Sequence, residues 1–209
     1  MLPTMPVGED RSCRPRTLDN PLRRRFAPPD AEVRRLEIPR GGCVADLGAG
    51  VGFFVRAELE AVGENGRVYL VDPDASNLAI AARRVAGDAR VLFLVSSANR
   101  LDAIPDATVD RALLSLVLCC LVDKEGTMDE LWRILAPGGI ALITYPKLGV
   151  PFRRRKRSMW MRRERWASLL ARRPWKELPV SSGWAIARHL IEKPTHASTH
   201  DASSSSGTR

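Results

Sequence analysis

No stretch of this 209-residue chain reaches the about 18 uninterrupted apolar residues that a membrane-crossing helix requires. Its first ten residues carry Glu9 and Asp10 and lack the apolar centre of an export signal, so the expected compartment is the cytoplasm. Cysteine is scarce and badly spaced for metal or redox work. Cys13, Cys43, Cys119 and Cys120 make no C-x-x-C pair and have no histidine at ligand spacing, so no metal site is expected. Cys119 and Cys120 adjoin within an apolar run and read as small core hydrophobes. Histidine is scarcer still: His189, His196 and His200 all fall in the C-terminal region, and His189 reads as a structural strand residue rather than a base. No internal repeat is visible, which excludes repeat arrays.

What is present is the composition of a soluble globular protein, 44% hydrophobic and 27% charged, at a length that suits one domain with a full core. The net charge of +9 is concentrated in two places. Residues 11–25 carry +5 and residues 153–165 carry +7, so the rest of the chain sums to −3.

These segments divide the chain into a basic arm over 1–25, a domain over 26–192 with its core at 42–146, and a Ser-rich tail over 195–209 that reads as disordered. Within the core, strand and helix patterns alternate. Strands are expected at Cys43–Asp46, Arg67–Val71, Arg90–Val95, Val109–Leu118 and Ile140–Tyr145. Helices are expected at Phe53–Val62, Ala75–Val85 and Asp123–Leu135, the last stopped by Pro137-Gly138-Gly139. A short helix over Ala31–Leu36 precedes them. The basic segment 153–171 follows, helical from Ser158 to Ala171 with Met159, Trp166 and Leu170 on one face, and a closing strand lies near Trp184–Ile191. Strands separated by such helices predict an α/β fold, a doubly wound, mostly parallel Rossmann-like sheet in a single domain.

The candidate site is the turn Asp46-Leu47-Gly48-Ala49-Gly50-Val51-Gly52 after the first strand, where open parallel sheets bind ligands. Its spacing is G-x-G-x-G, whereas a pyrophosphate on a helix N-terminus needs G-x-G-x-x-G. Asp46 would repel a pyrophosphate and attract a cation, such as the α-ammonium group of a methionine moiety. Asp72 ends the second strand, where a carboxylate can take both hydroxyls of a ribose. A plainer reading makes Asp46 a turn cap and Asp72-Pro73 ordinary turn residues.

Four blocks in order, VADLGAGVGFF, YLVDPD, SSANRLDAIPDATVD and ELWRILAPGG, make residues 42–146 resemble the class I S-adenosylmethionine-dependent methyltransferases. Within that family they are most similar to the branch containing the ubiquinone/menaquinone-biosynthesis enzymes and their small relatives. DNPLRRRFAPPD, ahead of the core, also resembles the lead-in of some of those relatives. The resemblance implies S-adenosyl-L-methionine as cofactor. It implies that Asp46 faces the amino group, that Gly48, Ala49, Gly50 and Gly52 line the methionine and ribose, and that Asp72 with Pro73 holds the ribose. Ser97, Ala98 and Asn99 would border the adenine, with Ser97 where many relatives carry Asp. Ser115 would approach the methionine end, and Cys119-Cys120 stands where relatives often carry two histidines.

Methyl transfer from a sulfonium needs alignment above all, and a base only for some acceptors. Tyr145 and Lys147, beyond the fifth strand, are the candidate catalytic residues. LLSLVLCC follows the fourth strand in place of an Asn/Asp-Pro-Pro-aromatic motif, which argues against amino methylation of adenine or glutamine. The acceptor is expected to be a small molecule. The alternatives are RNA or protein gripped by the Arg-rich segments, an anionic membrane surface met by 153–165, or a binding module without catalysis.

Overall fold

Seven strands form a single sheet in the order β3-β2-β1-β4-β5-β7-β6. The computed structural model describes residues 19–118, 120–121, 123–147 and 161–195. Cys13, Cys119, Met159, Trp160, His196 and His200 lie outside these residues, as do 1–18 of the expected arm, 153–160 of the basic segment and 196–209 of the tail. The chain enters through α1 (Pro21–Phe26) and α2 (Pro29–Arg34), and then alternates β1 (Cys43–Leu47), α3 (Val55–Val62), β2 (Arg67–Asp72), α4 (Ala75–Val85) and β3 (Val91–Val95). It returns through β4 (Val109–Ser115), α5 (Lys124–Ile134) and β5 (Leu135–Pro146), and closes with α6 (Arg163–Leu170), β6 (Lys176–Leu178) and β7 (Ile186–Glu192).

Strands β1 to β5 pair in parallel, and β7 runs antiparallel to both β5 and β6. The expected doubly wound sheet is therefore present, with β1 and β4 as neighbours where the winding reverses. Alternate residues of the central strands feed opposite faces, as the two-residue period of a strand demands. Ala45, Leu47, Val71, Leu114 and Ile143 pack with Leu131 of α5 and Trp166 of α6. Val44 and Leu70 pack with Val62 and Leu78, and Leu113 and Leu142 pack with Val33 and Phe54.

Several boundaries differ from the sequence expectation. The apolar run after Val109 stops being a strand at Ser115, because Leu116 turns to φ +63°, off the ladder. Pro137-Gly138-Gly139 does not stop a helix. The helix ends at Ile134, and β5 already pairs Leu135 with Val109 before a bulge lets Ile140 meet Arg111. That bulge is pinned from β7's end, since the Gly138 N–H donates to the Lys193 carbonyl and the Lys193 N–H to the Gly139 carbonyl. Strand β6 was not expected, and Trp184 lies outside β7, 67% exposed. Residues 21–26 of the arm form a helix because Asn20 caps it, its side chain accepting from the Arg23 N–H at 2.9 Å, with Pro21 in the first position. Within α6 the buried side chains are Trp166 and Leu169, with Leu170 packed beside them.

Candidate functional site

Asp46 is 1% exposed, and its Oδ2 has no hydrogen-bond partner. It lies near the end of β1, one residue before the strand gives way to the glycine turn. Burial pushes its carboxyl up to about 7, against the pull of Arg23 and with repulsion from Asp72 adding to the rise. Glu58, on α3, is fully buried with neither carboxylate oxygen bonded. Burial first, and the Asp46 charge second, hold it well above the usual carboxylate range.

The turn itself is closed by its own amides. Gly48 and Ala49 N–H both donate to the Val71 carbonyl, at 2.7 and 2.9 Å, and Gly52 N–H donates to the Ala49 carbonyl. Gly50 N–H donates to Asp72 Oδ2 at 2.8 Å, while Asp72 Oδ1 accepts from the Asp74 N–H at 2.9 Å and from Asn77. Gly48, at φ +80°, has Val117 methyls where a Cβ would stand. Gly52 has Ala81 of α4 there, so its bare Cα serves helix packing. A pyrophosphate therefore meets amides already committed and an acid in front, which agrees with the glycine spacing.

The other expected cofactor residues are brought to the same edge in different ways. Ala49 is buried among the α3 and α4 contacts, and Pro73 is exposed. Ala98 puts its methyl into the core, leaving only its backbone for a ligand. Ser97 and Asn99 flank it, half-buried, and Asn99 Nδ2 donates to Asp123. Ser115 Oγ is buried and accepts from Thr144 Oγ1 at 3.2 Å.

Two regions flank this centre. Helix α1 lies beside the turn, with the Arg23 guanidinium 4.1 Å from the Phe53 ring centroid. Asp19 holds the helix in place, bonding Arg24 at 2.9 Å and Arg84 of α4 at 2.8 Å. A cleft of about 580 Å³ opens between residues 25–35 and 181–188, with Phe26 and Trp184 edge to face at 5.0 Å and Arg25 and Arg35 in its wall.

On the other side, Tyr145 Oη lies 2.8 Å from His189 Nε2, and His189 Nδ1 lies 3.4 Å from Glu177 Oε2. Burial lowers the His189 pKa, so the neutral ring accepts from Tyr145 and donates to Glu177. Burial, then the Glu177 charge, raises the Tyr145 phenol. Lys147 is exposed, with its backbone N–H on the Ala185 carbonyl.

Sequence reading missed Arg23, Glu58 and Glu177, and the link from His189 to Tyr145. Only Glu58 left a signal, as an acid on the apolar stripe Val55, Leu59, Val62. In the basic segment, Arg165 pairs with Glu125, and Arg172 and Arg173 pair with Asp129 at 2.5 and 3.2 Å, so these arginines fasten the α6 region to α5. No helix of the described residues is long and apolar enough to cross a membrane.

Residues 45–143 match the family model described as a methyltransferase domain. With the sheet order and the turn, this match makes residues 45–143 similar to the methyltransferase domain of the class I S-adenosylmethionine-dependent enzymes. Its curated relatives are of the ubiquinone/menaquinone branch. The ubiquinone/menaquinone biosynthesis C-methyltransferase of Hydrogenovibrio crunogenus is 30% identical over 115 residues, 53% of this chain and 45% of that one. The chain thus spans under half the length of that relative. In fold, an S-adenosylmethionine-dependent methyltransferase from Aquifex aeolicus superposes with a TM-score of 0.75 at 22% identity, covering 87% of this chain and all of that one. A Burkholderia thailandensis 1,6-didemethyltoxoflavin-N1-methyltransferase, bound to its substrate and S-adenosylhomocysteine, gives 0.62 at 22% identity over 81% and 78%.

The residues fit the family's cofactor. The buried, unpartnered Asp46 oxygen is chemically suited to pair with an ammonium group. Asp72 accepts three hydrogen bonds from protein and has lone-pair capacity left for a hydroxyl.

Proposed function

We propose that this chain transfers a methyl group from S-adenosylmethionine to a small-molecule acceptor that enters at the end of β5 beside Tyr145. The orphaned, buried Asp46 carboxylate carries the reading, because such a group is tolerated where a cationic ligand completes it. Asp46 holds the amino group and Asp72 the ribose hydroxyls. The Gly48–Gly52 backbone and Ser115 border the methionine end, and Pro73, Ser97, the Ala98 backbone and Asn99 border the nucleoside.

The cofactor, when bound, supplies a methyl group already activated on a sulfonium. The protein's part is to hold the acceptor in line and exclude water, which can lower a barrier by roughly 7–11 kcal/mol. Where the acceptor must lose a proton, Tyr145 takes it while passing its own to His189, and Glu177 steadies the resulting imidazolium. The curated relatives, named for carbon methylation in ubiquinone and menaquinone biosynthesis, support a small-molecule acceptor.

The test is to incubate the chain with methyl-labelled cofactor and a cell extract split into small-molecule, RNA, protein and lipid fractions. Label in the small-molecule fraction is expected. Label confined to another fraction overturns the acceptor class, and cofactor binding with no label anywhere makes the chain a non-catalytic binding module.

A further inference from the structure

A bound S-adenosylmethionine carries an α-carboxylate beside its α-ammonium, and a site that desolvates the one must satisfy the other. In many sites a glycine-rich turn offers its N–H groups to an anion. Here that route is narrow, because four of the five N–H groups from 48 to 52, those of Gly48, Ala49, Gly50 and Gly52, are committed to Val71, Asp72 and Ala49. Two further acids, Glu58 and Asp72, crowd the same end of the sheet, so a second negative group there needs a cation.

The cation at hand is on α1. Arg23 lies over the rings of Phe53 and Phe54, at 4.1 and 5.4 Å, just past the glycine turn, and near enough to Asp46 for its charge to oppose the burial of that carboxylate. The helix is fixed in this pose by the Asn20 cap and by Asp19 reaching Arg84 of α4. It has no buried residue of its own, so core packing does not account for its place.

We propose that Arg23 is the cofactor's carboxylate-recognising residue, so that Asp46 and Arg23 together read the zwitterionic end of S-adenosylmethionine. A zwitterion inserted between the two lays its ammonium against the aspartate and its carboxylate against the guanidinium. Its contact with the Phe53 ring holds the guanidinium beside the turn, and the planar fork of a guanidinium suits a two-pronged contact to a carboxylate. Helix α1 then becomes a wall of the cofactor site.

This inference rests on the cofactor assignment above, and its test separates the two. Affinities of S-adenosylmethionine and of its decarboxylated analogue are measured by calorimetry for the unaltered chain, Arg23→Gln and Arg23→Lys, with Arg34→Gln, an exposed arginine on α2, as a control of equal charge. The unaltered chain and the control are expected to prefer the carboxylate-bearing nucleoside by about ten- to a hundredfold. Arg23→Gln is expected to erase that preference by losing affinity for the carboxylate-bearing nucleoside alone, and Arg23→Lys to restore part of it. A preference that survives in Arg23→Gln overturns the proposal, as does an equal loss for both nucleosides. A gain in affinity in Arg23→Gln also overturns it, since Arg23 would then be holding the ammonium's place. Failure of the unaltered chain to bind either nucleoside overturns the cofactor assignment itself.

Discussion

Asp46 and Glu58 are two buried carboxyls, one near the end of β1 and one on α3, whose charges repel each other and whose oxygens Asp46 Oδ2, Glu58 Oε1 and Glu58 Oε2 find no donor. Each has its pKa raised by folding, so the folded chain holds protons that the unfolded chain releases. A group of this kind stabilises below its unfolded pKa, and the benefit is lost as pH rises through its folded value. Starting from ordinary values of 3.8 and 4.5, the loss runs upward through about 7 for Asp46 and extends further for Glu58.

The melting temperature is therefore expected to fall between pH 5 and pH 8. Glu58→Gln keeps the shape and removes the titration, so its melting temperature should depend less on pH and exceed that of the unaltered chain at pH 8. The gain should be roughly 2–4 °C for each kcal/mol recovered in a chain of this size. Equal pH slopes for the two proteins would show that Glu58 is not the titrating group.

Cofactor binding should carry the opposite pH dependence. Asp46 must be ionised to pair with an ammonium group, and burial holds its carboxyl near 7. Affinity for S-adenosylhomocysteine should rise as pH climbs from 6 to 8, with protons released on binding. Calorimetry in buffers of different ionisation enthalpy measures that release directly. Asp46→Asn should remove the pH dependence and cost about 1.5–3 kcal/mol of binding.

The alternation of strands and helices and the glycine turn were legible because each is a local pattern with its own physical period or spacing. Asp46 and Asp72 stood out in the sequence for the same reason, each an acid near the end of a strand pattern. Strand β6 left no trace, since three residues, Lys176, Glu177 and Leu178, are too few to show an alternation. The bulge at Pro137-Gly138-Gly139 reads locally as a helix stop, and only the pairing of Leu135 with Val109 makes it part of a strand. Arg23 was invisible among three consecutive arginines, because what distinguishes it is the Phe53 ring 30 residues on. Tyr145 and His189 meet only through the register of β5 against β7, which pairs Tyr145 with Ala187 and Ile143 with His189.

Gly48 should be the least tolerant position of the turn. An alanine there adopts φ +80°, in the left-handed region, and drives its methyl into the Val117 side chain. Gly48→Ala is expected to cost about 1–3 kcal/mol from the backbone alone, with the steric clash in addition. Adding Val117→Ala should recover only the steric part. Urea unfolding of the single and double variants checks the partition, and full recovery in the double variant would mean the backbone carries no strain.

The docking of α2 on β7 rests on Glu32 and Arg188, which are 1% and 5% exposed in their side chains and 2.5 Å apart. Arg188 Nε also reaches both Glu32 oxygens, at 3.0 and 2.8 Å. Arg188→Met leaves a buried, uncompensated carboxylate and should destabilise the chain by about 3–5 kcal/mol. The double variant Glu32→Gln with Arg188→Met removes both charges and should regain most of that loss. A double variant as unstable as the single would show that the arginine's packing, rather than the charge pair, holds the helix.

The last test concerns Tyr145, whose phenol donates to a histidine that burial keeps neutral. Once an acceptor that must lose a proton is in hand, Tyr145→Phe should lower kcat about a hundredfold or more, with cofactor affinity unchanged. His189 must be neutral to accept the relayed proton, so the rate should fall as pH drops through the imidazole pKa, which lies below the ordinary 6.5. Glu177→Gln removes the charge that steadies the imidazolium and should move that acidic limb to still lower pH, because Glu177 favours the protonated ring. Turnover unchanged in Tyr145→Phe, with the acidic limb intact, would assign proton removal elsewhere and reduce the Tyr145–His189 pair to a clasp between β5 and β7.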